Sequence, residues 1–370
     1  MKEKYIYLLT LVSLCLPAYS QEENHHHHAH MEHSSHEGHS NHRLNQPLNV
    51  MGAHTHPKGE WMFTYKYMHM KMDGMRRGTS SKSSSDIFDA GYVVSPDDMR
   101  MDMHMFSFMY APTDNFTFMV MAEYLNKEMN LDVKPGMAAN MTNNGSTRAK
   151  TESDGWGDTK LMGLFAMTDH ASPHNFIIGM GLSVPTGSIN QKDRTPAPGG
   201  PSRNYLPASM QLGSGTWDLL PSISYEYSWT QLSLGSQLSG IFRPGRNSRE
   251  YSLGDQVNLK QWATYQLNDI ISVNAGWGYQ WQDYMGGKQE DILRTPPNPM
   301  LGDRTIPTAF SSNYGGHTMD AFAGIQLHGG EGIFEKQRLA FEVRAPFYED
   351  LNGYQMETKY TATIAWSLEF

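Results

Sequence analysis

Runs of ten to twelve residues, each alternating between apolar and polar side chains, recur from about residue 60 to the end of this chain. Successive side chains of a β-strand point to opposite faces, so a period of two predicts strands. Gly, Pro, Asn and Asp separate the runs, which number about twelve. The predicted strands cover approximately 60–72, 100–111, 115–125, 157–168, 175–186, 216–227, 231–242, 256–267, 270–281, 318–328, 337–347 and 355–370.

The connections between these runs alternate in length. Long connections are 73–99, 126–156, 187–215, 243–255 and 282–317, and short ones are 112–114, 169–174, 228–230 and 268–269. The connections 329–336 and 349–353 fit the alternation less well. Strands of this length, with long loops at one end and short turns at the other, are typical of outer-membrane barrels. Strands of a soluble β-sandwich are usually shorter. We therefore predict an all-β chain forming a transmembrane antiparallel up-and-down β-barrel of about 12 strands.

The last predicted strand has one lipid-compatible face. Its apolar residues on that face are Tyr360, Ala362, Ile364, Trp366, Leu368 and Phe370, and Thr and charged residues occupy the other face. The aromatic C-terminus, Phe370, resembles the assembly signal that outer-membrane barrels present to the barrel-assembly machinery. Because an even number of strands returns the chain to its starting side, both termini are expected in the periplasm.

The N-terminus has the composition of an export signal. Lys2 and Lys4 precede an apolar run from residue 5 to 16, and small residues stand before a cleavage point after Ser20. We predict a signal peptide over 1–20, a disordered His-rich periplasmic tail over 21–58 and an outer-membrane barrel over 59–370. The single cysteine lies inside the signal peptide, so the mature chain has no disulfide or thiolate metal site.

Charge and motifs exclude several classes of protein. The formal net charge is −9 without a basic face, so nucleic acid is not an expected partner. The mean hydropathy of −0.55 is compatible with a barrel, since only alternate residues face lipid. There is no G-x-S-x-G motif, and His104 and Ser107 are three apart on one strand and therefore on opposite faces. We predict no catalytic residues and no enzymatic activity.

Histidines in the predicted tail are candidate metal ligands. Neutral imidazoles at these spacings are able to share Cu(II), Ni(II) or Zn(II), although a solvated tail without metal remains an alternative. The candidates are His25, His26, His27, His28, His30, His33, His36, His39, His42, His54 and His56.

Methionines are the second candidate set, with 26 in the chain. In the first three strands they avoid the aromatic face, so we predict that they line the lumen as one stripe. Thioethers are soft ligands for Cu(I), but methionine is also a flexible filler of irregular interiors. The predicted stripe consists of Met62, Met68, Met70, Met72, Met101, Met103, Met105, Met109, Met119 and Met121.

Two glycine-rich segments resemble the outer-membrane barrel family named after meta-pathway phenol degradation. They are Gly-Leu-Ser-Val-Pro-Thr-Gly at 181–187 and Gly-Ser-Gly-Thr-Trp-Asp at 213–218. The segment from Met51 to Met70 is similar to a Met- and His-rich, copper-associated subgroup of that family. The resemblance implies an outer-membrane channel or transporter.

The primary functional prediction is an outer-membrane channel linked to copper or other soft or transition metals, with its His-rich tail in the periplasm and methionines along its lumen. The alternatives are a channel for small hydrophobic, aromatic compounds, or a barrel that only supports the envelope. No cofactor is required, although Cu(I), Cu(II) or other transition-metal ions are candidate ligands. Expected partners are outer-membrane lipid, the barrel-assembly machinery and, in the copper hypothesis, periplasmic metal-handling proteins.

Overall fold

The structure is a computed structural model that describes residues 46–293, 305–330 and 332–370. The predicted signal peptide, its cleavage after Ser20 and the predicted tail as far as residue 45 lie outside the described residues. The histidines from His25 to His42 belong to that part of the chain.

The described residues form mainly β-strands. These are β1 (Trp61–Gly78), β2 (Ser80–Lys82), β3 (Val94–Thr113), β4 (Phe116–Val133), β5 (Arg148–Trp156), β6 (Thr159–Ala166), β7 (His174–Val184), β8 (Lys192–Thr195), β9 (Ser202–Tyr205), β10 (Asp218–Leu219), β11 (Ser222–Ser228), β12 (Leu232–Ile241), β13 (Tyr251–Ser252), β14 (Gln256–Gln266), β15 (Ile271–Gln282), β16 (Gly286–Gly287), β17 (Gly316–His328) and β18 (Gln337–Glu369). The α-helices are α1 (Ser84–Asp89), α2 (Pro135–Met141) and α3 (Glu290–Leu293). Single turns of 3₁₀ helix cover Asn143–Gly145, Ala208–Met210, Pro307–Ala309, Ser311–Asn313 and Gly332–Phe334.

Eleven of these strands close into a ring in which every neighbour is antiparallel. The order is β1, β3, β4, β6, β7, β11, β12, β14, β15, β17 and β18, and β18 pairs again with β1. The 33 residues of β18 cross the wall twice. Its first half pairs with β17 as far as Leu351, and its second half pairs with β1 from Leu351 onward. The predicted barrel of about twelve antiparallel crossings is therefore confirmed.

One end of the barrel carries the short turns, and we call it the short-turn end. Its connections are 114–115, 167–173, 229–231, 267–270 and 329–336. The seam between the first and last strands also ends here, because Trp61 and Phe370 exchange two backbone hydrogen bonds of 2.9 Å. The long connections, which contain the helices and the small strand pairs β8–β9 and β13–β16, all lie at the opposite, long-loop end.

The first three wall strands are longer than predicted. Asp73 and Gly74 were interpreted as the start of a loop, but β1 continues to Gly78. Gly74 has a φ of 78°, and the register against β18 shifts between Met72 and Met75. A glycine at positive φ lets a strand bulge and continue, so a turn-forming residue did not mark the strand end here.

The two faces of the wall differ as the alternation predicted. Aromatic and aliphatic side chains such as Phe106, Phe108, Phe118, Ile223 and Ile364 are exposed on the outside. The alternate residues, for example Thr361, Thr363 and Ser367, are buried inside. In the part of the chain that the structure describes, no helix is long and apolar enough to span a membrane.

Candidate functional site: a methionine-lined lumen closed by an N-terminal plug

Residues 46–58 enter the barrel at the short-turn end, and we call this segment the plug. Leu48, Val50, Ala53 and His56 are all buried. These residues belong to the predicted disordered tail, yet they lie against the barrel wall, and the described chain begins at residue 46, thirteen positions before the predicted start of the barrel at 59. The polar groups of this segment are satisfied by side chains of the barrel wall. Such contacts leave no pattern in the sequence of the segment itself.

Charged side chains of the wall bind the middle of the plug. Lys66 Nζ donates to the carbonyl oxygen of Leu48 at 2.5 Å, and the Leu48 amide donates to a Glu342 carboxylate oxygen at 2.8 Å. Lys260 Nζ donates to the carbonyl oxygen of Asn49. Because a segment without secondary structure cannot satisfy its own backbone inside a protein, these contacts hold the plug in place.

Both ends of the plug are attached in the same way. At its start, Gln326 and Arg338 donate to the carbonyl oxygen of Gln46 at 3.1 and 2.9 Å. Near its end, the His56 amide donates to Thr117 Oγ1 at 3.0 Å. The plug therefore contacts several different wall strands and closes the short-turn end of the lumen.

The predicted methionine stripe lies at inward-facing positions of the wall. Met62, Met109 and Met119 stand directly opposite one another on β1, β3 and β4, and Met162 of β6 continues the row. Their exposed fractions are between 2% and 4%. Further along the lumen Met68 pairs with Met103, Met70 with Met101 and Met72 with Met99. Met105 and Met121 complete the stripe and contact internal cavities. Whether these thioethers bind metal remains a prediction.

The methionines form two buried clusters at different depths. The plug-side cluster consists of Met62, Met109, Met119, Met121, Met162, Leu164 and Ile177, with Met51 of the plug and Met105 packed against it. The loop-side cluster contains Met99, Met129, Met141 and Met210 together with Val93, Val94, Leu131, Val133, Ala138 and Leu206, and Met72 packs against it. The loop-side cluster is a conventional apolar core, since its members come from both the wall and the loops.

The long-loop end is also covered from inside. Lys127, an inward residue of β4, donates to the carbonyl oxygens of Ser209 and Gln211 at 3.0 and 2.6 Å. Met210 between them is fully buried in the loop-side cluster. A lysine of the wall thus holds an inserted backbone at this end, as Lys66 does at the plug.

Between the two closures lies a mid-lumen cavity of about 280 Å³. Met68, Met105, Met121, Met162, Leu220 and Ile241 form its apolar side. Its polar side contains Lys66, Lys160, Lys260, Asp320, Glu342 and Arg344. Several of these charges are paired, including Lys160 with Glu123 at 2.8 Å and Arg344 with Asp320 at 4.0 Å. The cavity is therefore amphipathic, and its charges are largely compensated.

The glycine-rich segments that carry the family resemblance meet at the base of a long loop. One carboxylate oxygen of Asp158 accepts from the Gly187 amide at 2.9 Å, and the other accepts from the amide and hydroxyl of Ser214. A Cβ at Gly187 would lie 2.8 Å from the Cα of Gly213, closer than any side chain tolerates. Both glycines are thus required for the two ends of the 188–212 loop to approach each other.

Only two of the candidate histidines lie within the described residues, and His69 and His104, which are not candidates, lie elsewhere. His54 and His56 lie in the plug with ring centroids 5.1 Å apart, and the Nε2 atom of each is buried without a hydrogen-bond partner. His69 and His104 lie on the outer face, where His69 Nδ1 is 2.8 Å from Asp102. In the residues that the structure describes, no group of three His, Cys, Asp or Glu side chains is arranged to hold a metal ion.

Sequence reasoning missed the plug entirely. The apolar residues Leu48 and Val50 alternate with polar ones just after the His-rich stretch, which is the one local signal that this segment is buried. The lysines Lys66, Lys127 and Lys260 are inward residues of the wall that bind backbone carbonyls of inserted segments. Nothing in the local pattern of a strand indicates such a partner.

Comparisons with known proteins agree with this fold. The family model described as "Putative MetA-pathway of phenol degradation" matches residues 84–292, more than half of the chain. An outer-membrane channel from Pseudomonas putida F1 is similar over 88% of this chain and 100% of its own, with 13% identity and a TM-score of 0.56. That likeness shows the outer-membrane barrel fold.

Two further solved structures are more distant. The P. putida toluene transporter TodX has 9% identity and a TM-score of 0.43 over 85% of this chain and 91% of its own. The monoaromatic hydrocarbon channel CymD has 11% identity and a TM-score of 0.40 over 85% of this chain and 89% of its own. No curated protein matches this chain in sequence.

Proposed function

Because this chain belongs to the family described as "Putative MetA-pathway of phenol degradation", we propose that it is an outer-membrane channel for small hydrophobic molecules, including aromatic ones. In this proposal the short-turn end, with the plug and both strand termini, faces the periplasm, and the long loops face outside the cell. This function is the alternative that the sequence also left open, and the small amphipathic cavity in the middle of the lumen is the observation that favours it over a water-filled pore.

The closed ends of the lumen argue against free diffusion of ions. The plug is held at Gln46, Leu48 and His56, and the opposite end is closed by the loop around Met210. A water-filled porin needs a continuous polar channel. Here a solute must instead occupy an internal cavity and displace a closing segment on its way.

The shape and chemistry of the cavity fit a small aromatic solute. An engineered apolar cavity of about 150 Å³ is sufficient for benzene, and ligand sites begin at about 300 Å³. The mid-lumen cavity, at about 280 Å³, lies between these values. Its thioether side provides an adaptable apolar contact for a ring, and the charged side chains on the other side, such as Asp320 and Glu342, provide partners for a hydroxyl group. A phenol-like molecule satisfies both sides.

Filling the cavity tests the proposal. Ser239 of β12 lines the cavity, whereas Ser236 of the same strand lies on the opposite face beside Tyr225. In cells that depend on this barrel, Ser239→Trp should reduce uptake of radiolabelled phenol or toluene several-fold, and Ser236→Trp should leave uptake unchanged. Both variants should show wild-type heat-modifiable mobility on gels.

Equal uptake by the two tryptophan variants would contradict the proposal. If uptake also remains unchanged when the whole barrel is absent, the barrel serves the envelope structure alone. The copper-linked function of the primary prediction is not supported by the comparisons.

A further inference from the structure

A second, smaller cavity lies between the plug and the wall, closer to the short-turn end. Its volume is about 80 Å³. This is about half the volume of a cavity known to hold benzene, about 150 Å³, and is ample for an ion or a few waters. Six thioether side chains line it: Met51, Met62, Met105, Met109, Met119 and Met121.

The wall methionines of this cavity are arranged in one register row. Met62 stands opposite Met109, and Met109 stands opposite Met119, on three consecutive strands of the ring. The Cβ atoms of residues directly opposite each other in an antiparallel pair are about 4.5–5.5 Å apart. Long, flexible thioethers at this spacing are able to bring their sulfur atoms to one point.

The plug adds a nitrogen ligand to the same cavity. His54 lines the cavity, and its Nε2 is buried without a hydrogen-bond partner. A buried polar atom without a hydrogen-bond partner destabilises the protein, and a metal ion bound to that atom would remove this cost. Burial and then the neighbouring charges of His56, Arg338 and Lys66 hold the pKa of His54 well below its usual value near 6.5. The ring is therefore neutral, as a metal ligand must be.

The plug backbone also approaches this row closely. Gly52 has a φ of 64°, and a Cβ at this position would lie 3.6 Å from Met162 Cε and 3.0 Å from Leu164 Cδ2. Gly52 therefore lets the plug lie against the wall. Met51 precedes this glycine and His54 follows it, so both residues lie at the edge of the methionine row.

The surrounding charges limit which cation fits. Lys66 and Arg338 border the cavity and disfavour a high positive charge in it, and the nearby carboxylates of Glu342 and Glu369 offset only part of this effect. In the described residues no carboxylate lines the cavity itself, so it offers a hard dication no oxygen anion. Thioether and imidazole ligands select soft monovalent ions such as Cu(I).

We propose that this cavity binds one Cu(I) or Ag(I) ion through the thioethers of Met62, Met109 and Met119 and the Nε2 of His54. The ion links the plug to the wall, because it takes ligands from both. The two cavities share Met105 and Met121, but the four proposed ligands line only the smaller one, and the proposal does not depend on the proposed channel function.

The test uses Ag(I), which needs no reducing agent, on the purified full-length chain in detergent. The number of tightly bound ions is measured by titration against a competing chelator. The variant combines Met62→Leu, Met109→Leu and Met119→Leu. The control combines Met72→Leu, Met99→Leu and Met129→Leu, which form an equivalent in-register row on the same three strands but lie in the loop-side cluster. The histidines of the predicted tail are present in every variant, so any Ag(I) that they bind contributes equally to all titrations.

We expect the plug-side triple variant to lose one tight Ag(I) ion per chain and the loop-side triple variant to lose none. His54→Leu, which changes only the plug and leaves the wall intact, should weaken the same site at least tenfold. X-ray absorption of the wild-type complex should show sulfur and nitrogen neighbours around the metal. Unchanged binding in both the plug-side variant and His54→Leu would overturn the proposal. Equal losses in the two triple variants would also overturn it, since binding would then be general to buried methionines.

Discussion

Lys66 Nζ lies 2.5 Å from the carbonyl oxygen of Leu48, so a cation of the barrel wall is bound to the backbone of the plug. The same wall surface offers Glu342, which accepts from the Leu48 amide. One residue of the plug is thus held through both its backbone groups by opposite charges. This arrangement secures a segment that forms no ladder with any strand.

Removing the lysine should loosen the plug. Lys66→Met keeps most of the side-chain volume but leaves the Leu48 carbonyl without its donor, and an unsatisfied buried group costs about 1–3 kcal/mol. We expect a higher open probability in planar-bilayer recordings. Lys71→Met is the matched control, because Lys71 lies on the outer face of the same strand and pairs with Asp98. Identical recordings from both variants would show that the plug does not limit conductance.

Acidification should weaken the docking of the plug. Burial, His56, Arg338 and Lys66 lower the pKa of docked His54, whereas a released His54 titrates near 6.5. The released state therefore binds the proton more readily, so the docking energy is complete above pH 6.5 and decreases as the pH falls below it. Glu342 near Leu48, and Glu60 and Glu369 beside His56, are the facing carboxylates.

The measurement is protease cleavage of the plug in detergent between pH 7.5 and 5. The wild-type plug should be cleaved faster as the pH falls. In His54→Gln the cleavage rate should depend less on pH. A wild-type plug with constant accessibility across this range would contradict the expectation.

The glycines at the loop base should be intolerant of any side chain. In Gly187→Ala the new Cβ would meet the Gly213 backbone, so the two motifs would separate and Asp158 would lose its amide partners. We expect faster proteolysis of the 188–212 loop on intact cells, with the barrel still folded. Gly136→Ala is the control, since a Cβ there meets nothing within 4 Å. Equal protease resistance of the two variants would exclude this role of the motif.

The orientation of the barrel can be tested by labelling intact cells. Cysteines introduced into the 187–215 and 282–317 loops should react with an impermeant reagent, because these loops are expected outside the cell. A cysteine at Asn268 or Asp269, in a short turn, should react only after the outer membrane is opened. Labelling of that turn on intact cells would reverse the proposed orientation.

The regular features of this fold were predictable from the sequence, since they follow from side-chain alternation. The inward methionines and the outward Phe106 and Phe108 required only the period of two. Residues 46–58 were not predictable, because their burial depends on Glu342 and Arg338 from the last strand, distant in sequence, and on a backbone contact of Lys66. Contacts of this kind leave no local pattern.

The position of the seam has a consequence for assembly. Trp61 and Phe370 join the first and last wall strands, β1 and β18. The barrel therefore closes only when β18 has paired with β1. The plug precedes β1 directly in the chain and is enclosed by the ring that β1 completes. Contacts between such distant positions form slowly. Enclosure of the plug and closure of the wall are therefore coupled, and a barrel that closes without the plug inside would have to admit it afterwards through the short-turn opening alone.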